Sequence, residues 1–293
     1  MSARGPKNHD PISSSVQCAV IGLGRAGQMR VKALESSHRG VCAAKVTRRG
    51  ASAMSLDEVY ASDRIDAVLI CLENELHHQV AQASLASGKH VLVEYPLADS
   101  ASQAQSLFHS ARESGLILHV GLVGLLSPIH EDMRTFVQSE DWRRVVYEFR
   151  GGFYGWLETE VRAGHFGQLA LARLHRLRDW FGQLSLGEVQ VRLFADGYVM
   201  KVCLSGADGA EIELVENRRR GQSRGVGLVG ESAAGLTHAF NGPGRRSGVF
   251  AQDTQAFLQR VLTHDRDGCY VASGIVLEVM ALADRISERV TLT

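Results

Sequence analysis

Neither sign of charge is in excess: thirty-two basic residues face thirty-two acidic ones. No global field therefore draws the chain to nucleic acid or to a membrane surface, and any anion site must be a local cluster of Arg or Lys. Cysteine chemistry finds little material. The five cysteines, Cys18, Cys42, Cys71, Cys203 and Cys269, are scattered, and no two stand at metal-ligand spacing. An odd number also argues against a disulfide framework. They are expected as free thiols in a reducing compartment, with no metal. No apolar run reaches membrane-spanning length. Residues 1–15 lack an apolar h-region and read as a flexible leader rather than a signal peptide, so the expected location is cytoplasmic. There is no internal repeat and no low-complexity segment.

What is present is the composition of an ordinary globular protein, 45% apolar and 22% charged over 293 residues, a length that suits two domains. From residue 16 to about 123, short apolar runs alternate with helical patterns. Val16–Ile21, Val41–Val46, Ala67–Cys71, Val91–Val93 and Leu116–Val120 read as buried strands. Ser55-Leu56-Asp57-Glu58 has capping-box spacing, and Gly88 and Gly115 stand where helices should end. Continuous apolar strands alternating with helices predict a parallel sheet covered on both faces, an α/β Rossmann domain over 16–123. After residue 124 several strand candidates are separated by turn signals such as Ala195-Asp196-Gly197 and Gly206-Ala207-Asp208-Gly209. They predict an α+β domain over 124–293 with a large antiparallel sheet, one helix before it near 167–181 and two after it. That domain would bind substrate or a second copy of the chain, so the chain is expected as a monomer or homodimer.

Gly22-Leu23-Gly24-Arg25-Ala26-Gly27 follows the first strand and opens a helix. The first glycine permits the tight turn, the second admits the pyrophosphate to the backbone, and the third lets helix pack on strand. An NAD-specific site would place a carboxylate about twenty residues further on. This chain has Thr47-Arg48-Arg49, whose guanidinium groups suit a 2′-phosphate, so NADPH is expected, with NADH as the alternative cofactor. Cys71, Glu73 and His77 leave the next strand where the nicotinamide should lie. His77 is a candidate general acid or a residue steadying the loop.

Val91-Leu92-Val93-Glu94-Tyr95-Pro96 ends at the carboxyl edge of a parallel strand, where open α/β sheets bind ligands. This layout resembles the glucose-fructose oxidoreductase and inositol dehydrogenase superfamily, in which the corresponding tripeptide is usually Glu-Lys-Pro and the lysine is the acid/base toward a sugar hydroxyl. A phenol is a neutral donor at pH 7 and does not replace an ammonium in that role. Glu94-Tyr95-Pro96 after Gly88-Lys89-His90 instead resembles the biliverdin reductases. The likeness extends to the glycine fingerprint, Thr47-Arg48-Arg49, His77, the helix bearing Arg173 and the Gly248-Val249-Phe250 stretch.

The resemblance implies reduction of biliverdin to bilirubin, with hydride delivered to the central bridging carbon and a proton to a pyrrole nitrogen. Tyr95, Arg173 and Glu94 would be catalytic. Tyr95, His119, Arg173 and Arg176 would meet the pigment, and Gly22, Gly24, Arg25, Ala26, Gly27, Thr47, Arg48, Arg49, Cys71, Glu73, His77 and Glu94 would meet the cofactor. Arg173 and Arg176, three apart, are expected to share a helix face. The basic stretches Arg218-Arg219-Arg220 with Arg224, and Arg245-Arg246, are further candidates for propionates or phosphate. The sequence departs from the family after His119: Val120-Gly121-Leu122-Val123-Gly124-Leu125-Leu126 is apolar where carboxylates and a His are usual. That departure leaves open a non-catalytic NADPH- or bilin-binding sensor. A sugar or polyol dehydrogenase fits the fold but lacks the lysine.

Overall fold

Short apolar runs bounded by helical periodicity become a wholly parallel five-stranded sheet. Its strands are β1 (Val16–Ile21), β2 (Gly40–Val46), β3 (Ala67–Ile70), β4 (His90–Glu94) and β5 (Leu118–Gly121), in the order β2-β1-β3-β4-β5. The computed structural model describes residues 15–47, 54–240 and 248–292. Residues 1–14 of the expected leader, Arg48, Arg49, Arg245 and Arg246 lie outside them. All of β3 and β4 is buried, because an uninterrupted apolar strand needs cover on both faces. The cover includes α1 (Arg25–Glu35), α2 (Leu56–Ala61), α3 (Asn74–Ala86) and α4 (Ala101–Glu113). The capping box at α2 forms in both directions: the Glu58 amide donates to Ser55 Oγ (3.2 Å) and the Ser55 amide to Glu58 Oε2 (2.6 Å). The order reverses between β1 and β3, so their carboxyl ends open a crevice.

The chain divides into two compact units, and the division differs from the expected 124–293 domain: Gly248–Leu277 belong with the first unit, and Gly124–Ser247 with Glu278–Thr293 form the second. The reason is apolar burial. Helix α8 (Val249–Thr263) sends Phe257, Leu258 and Val261 into the core of Val16, Val20, Leu34, Leu69 and Leu92. Gly40 leaves the room for it, since a Cβ there would lie 2.7 Å from Leu258 Cδ1. Phe257 and Leu258 are wholly buried, and each contributes about 1.5–3 kcal/mol to that attachment.

The second unit is a seven-stranded sheet in the order β11-β10-β6-β9-β8-β7-β12. The strands are β6 (Trp142–Gly152), β7 (Ser185–Phe194), β8 (Gly197–Ser205), β9 (Glu211–Arg219), β10 (Gly225–Ser232), β11 (Thr237–Phe240) and β12 (Thr291–Leu292). The expected hairpins β7-β8-β9 are present and antiparallel. The sheet as a whole is mixed, because β6-β9 and β7-β12 are parallel. Tight turns specify neighbouring hairpins only, whereas β6 and β9 meet across a long excursion. Helix α7 (Phe166–Phe181) lies in that excursion, and nearly every turn of it is buried. At its start Gly167 lets a backbone approach: a Cβ would stand 1.8 Å from Ala283 O of α9 (Ser273–Glu288). Helices α5 (Pro128–Val137) and α6 (Gly155–Arg162) have no side-chain cap bond. Among the described residues, no helix is long and apolar enough to cross a membrane.

Candidate functional site

The loop after β1 and the first turn of α1 carry three glycines with three different duties. A Cβ on Gly22 would stand 2.4 Å from Cys71 O, and one on Gly27 would stand 1.8 Å from Gly22 O. Those two positions admit no side chain while the loop keeps its path. A Cβ on Gly24 would meet nothing within 4 Å. Gly24 is the N-cap of α1 and supplies no side-chain cap, so the first amides of that helix face open space. That space is a cavity of about 690 Å³ bounded by Gly22, Gly24, Thr47, Cys71, Leu72 and Glu73. A second cavity of about 670 Å³ shares Thr47 and Leu72 with it and is walled by Ile21, Val46, Leu76 and Val80. An anion-seeking loop beside an apolar slot fits a dinucleotide: pyrophosphate over Gly24, a planar base between the aliphatic side chains. Arg25 and Glu73 are exposed at the rim, and Ala26 is half-buried.

His77 is buried at the start of α3, with Nδ1 2.6 Å from Pro96 O and Nε2 3.0 Å from Leu72 O. Both ring nitrogens face carbonyl oxygens. The ring ties the loop after β3 to the loop after β4, and neither nitrogen is free for a general-acid role. The Cys71 thiol beside it is pushed up by burial.

At the end of β4, Tyr95 is half-buried and precedes a cis peptide to Pro96. Glu94 does not stand open to a ligand. Its Oε1 accepts from Arg30 Nε at 2.7 Å, and Arg30 Nη2 is 2.7 Å away. Arg30 is wholly buried on α1, donates Nη1 to Thr254 Oγ1 (3.0 Å), and pairs with Asp253 at 2.5 Å without hydrogen-bond alignment. Asp253 Oδ1 receives His119 Nε2 at 2.8 Å and Tyr270 Oη at 2.7 Å. Burial alone would raise the Asp253 carboxyl; the Arg30 charge and the His119 and Tyr270 donors outweigh it and hold it down at about 2. Glu94 moves the other way, because burial outweighs its share of the same arginine. One guanidinium thus serves two buried carboxylates, and it stays charged. His119 joins this network rather than a free surface. Its ring is wholly buried, and the hydrogen bonds to Asp253 and Cys269 outweigh burial and raise its pKa.

In the second unit the two α7 arginines go to different partners. Arg173 places Nη2 2.6 Å from Glu216 Oε2 and Nε 3.2 Å from it, and lies over the Phe149 ring at 4.7 Å. Arg218 Nε also donates to Glu216 (2.8 Å) and covers the Phe149 ring at 4.4 Å. Arg224 stands 5.2 Å from the same ring. Glu216 itself is wholly buried. Arg176 donates to Tyr147 Oη (3.2 Å), Gly124 O (3.2 Å) and Ser127 Oγ (3.3 Å). Three-residue spacing predicts neighbouring Cβ atoms; it does not decide where long side chains end.

Sequence reasoning missed Arg30, Asp253, Tyr270 and Glu216. Asp253 and Tyr270 stand 17 positions apart, Tyr198 and Glu216 18, Arg173 and Glu216 43, and Arg30 and Glu94 64, so no local pattern announces these pairs.

Residues 16–122 match the model of an oxidoreductase family with an NAD-binding Rossmann fold. The cofactor of this domain is accordingly a nicotinamide dinucleotide, NAD or NADP. Among curated proteins, biliverdin reductase A of Homo sapiens is 29% identical over 255 residues, 83% of this chain and 85% of its own. Two solved structures share the fold. A biliverdin reductase from Synechocystis, in complex with biliverdin and NADP+, has a TM-score of 0.73 at 23% identity, covering 94% of this chain and 99% of its own. A 3-ketoreductase from Actinomadura kijaniata, in complex with NADP, has a TM-score of 0.77 at 20% identity over 95% and 98%.

Proposed function

We propose that this chain is an NADPH-preferring reductase of biliverdin or a related linear tetrapyrrole. The observation that carries the reading is Tyr95 at the carboxyl end of β4, where sugar dehydrogenases of the resembled superfamily need a lysine. The relationship to biliverdin reductase A over 83% of the chain supports it. When bound, the reduced nicotinamide supplies the hydride for the central bridging carbon, and a pyrrole nitrogen takes up a proton. The chain's own residues do the rest. Gly24 and the bare N-terminus of α1 hold the pyrophosphate. Thr47, Arg48 and Arg49 read the 2′-phosphate, since no carboxylate stands there to repel it. Cys71, Glu73 and His77 shape the nicotinamide end. Tyr95 donates its hydroxyl proton toward the pigment, and Glu94, locked by Arg30, fixes the backbone that aims it. Arg173 acts through Glu216, holding Arg218 beside Phe149 so that Arg218 and the exposed Arg224 present cations to the propionates. A reducing, cytoplasmic setting suits five free thiols.

A second reading, a binder of NADPH and pigment without turnover, is favoured by one observation. His77, His119 and Arg173 are all committed to internal partners. The test mixes purified protein with biliverdin and NADPH, then NADH, and follows the visible spectrum. Growth of bilirubin, faster with NADPH, supports the reductase. Binding of NADPH without turnover supports the binder. Absence of binding to either ligand removes both.

A further inference from the structure

Outside the cofactor cavity, the first unit carries a cysteine, a histidine and an aspartate in line. Cys269 Sγ lies 3.8 Å from His119 Nδ1, and His119 Nε2 lies 2.8 Å from Asp253 Oδ1. Asp253 fixes the tautomer: its carboxylate accepts a hydrogen bond from Nε2–H, so Nδ1 keeps the lone pair on the side of the sulfur. The ring is held edge-on between Phe257 and Tyr270 at 5.8 and 5.6 Å, so it cannot turn away. Arg260 Nη1 is 3.2 Å from the same Nδ1 and also reaches Leu118 O at 3.4 Å, an alternative acceptor once the ring takes a proton. The remaining charges of the cluster, Arg30 and Glu94, lie beyond Asp253. Thiol and carboxylate occupy opposite edges of one imidazole, an arrangement for moving a proton off sulfur rather than for chelation. Among the described residues, no group of three or more such side chains is placed to hold a metal ion.

The structure assigns Cys269 as a modification site, a thiol activated by the His119–Asp253 pair that reacts with small hydroperoxides. His119 Nδ1 takes the thiol proton. The sulfur then attacks the terminal peroxide oxygen, forming the S–O bond as the O–O bond breaks. Sulfur is oxidised by two electrons to the sulfenic acid, the peroxide is reduced to an alcohol or water, and the imidazolium proton passes to the departing oxygen. The other cysteines lack this assistance. Burial pushes Cys18, Cys42, Cys71 and Cys203 upward. At Cys269 burial acts in the same direction, but the His119 hydrogen bond outweighs it and draws the thiol down. Cys203 is the internal control, because it is exposed and Cys269 is only partly so.

The experiment treats the intact protein with hydrogen peroxide at pH 7, traps sulfenic acid with dimedone and maps the adducts by peptide mass spectrometry. Cys269 is expected to be labelled about tenfold faster than Cys203, despite its lower exposure. His119→Asn should bring Cys269 to the rate of Cys203 or below and leave Cys203 unchanged. Cys203 reacting first, or a Cys269 rate indifferent to His119→Asn, overturns the assignment. If His119→Asn does not fold, iodoacetamide rates on the unmodified protein between pH 6 and 9 decide instead. Cys269 should reach half its maximal rate at lower pH than Cys203; equal or reversed midpoints refute the proposal.

Discussion

Gly24→Val separates cofactor binding from folding. The backbone at Gly24 is φ −66°, ψ −165°, an extended conformation open to any L residue, and a Cβ there meets nothing within 4 Å. The fold should lose no more than the difference between glycine and an apolar N-cap, about 1 kcal/mol. The new isopropyl group would stand in the cavity of about 690 Å³, where the α1 amides reach a pyrophosphate. Losing one or two charge-assisted hydrogen bonds removes about 3 kcal/mol, more than a hundredfold in NADPH affinity. Gly27→Ala is the opposite case. Its Cβ would lie 1.8 Å from Gly22 O, so backbone must move at about 1–3 kcal/mol. Thermal melting with and without NADPH reads both effects. Wild-type protein at a free NADPH concentration of a hundred dissociation constants gains about 2.7 kcal/mol and melts higher. Gly24→Val should melt within a few degrees of wild type alone and gain nothing from NADPH. Unchanged NADPH affinity in Gly24→Val would show that the open space at Gly24 is not the pyrophosphate seat.

Three further outcomes are expected. His175 is buried with Nδ1 unpartnered, and burial drives its pKa down to about 4. A folded-state value below the unfolded one gives stability that is complete above about pH 6.5 and is lost as pH falls toward 4, roughly 3 kcal/mol in all. His175→Leu should flatten that acid limb in urea unfolding at pH 7 and 4.5; an unchanged drop would place the lability elsewhere. Arg30→Met leaves Glu94 and Asp253 buried without their cation and should destabilise the fold by about 3–5 kcal/mol, with partial recovery in Arg30→Met/Asp253→Asn. Arg48→Glu with Arg49→Glu should shift the NADPH-to-NADH affinity ratio by tenfold or more toward NADH, measured by titration; an unchanged ratio would remove these arginines as phosphate readers.

Local physics made the first unit legible. Strands β3, β4 and β5 are buried on both faces and so read as continuous apolar runs, and the turn over Gly22, Gly24 and Gly27 needs residues without a Cβ at two points and open space at a third. Ser55 and Glu58 announced their helix for the same reason: the interacting groups are three residues apart. What the tertiary structure decided is long-range. Helix α8 looks like part of the second domain until Phe257 and Leu258 are seen in the first core. The β6-β9 pairing depends on where a long excursion returns. The buried charges depend on it most. Nothing adjacent to Arg30 foretells Glu94 or Asp253, nothing near Arg173 foretells Glu216, and nothing near Cys269 foretells His119. A charge leaves water only where folding brings it a partner, and that partner is chosen by the packing of elements rather than by the order of residues.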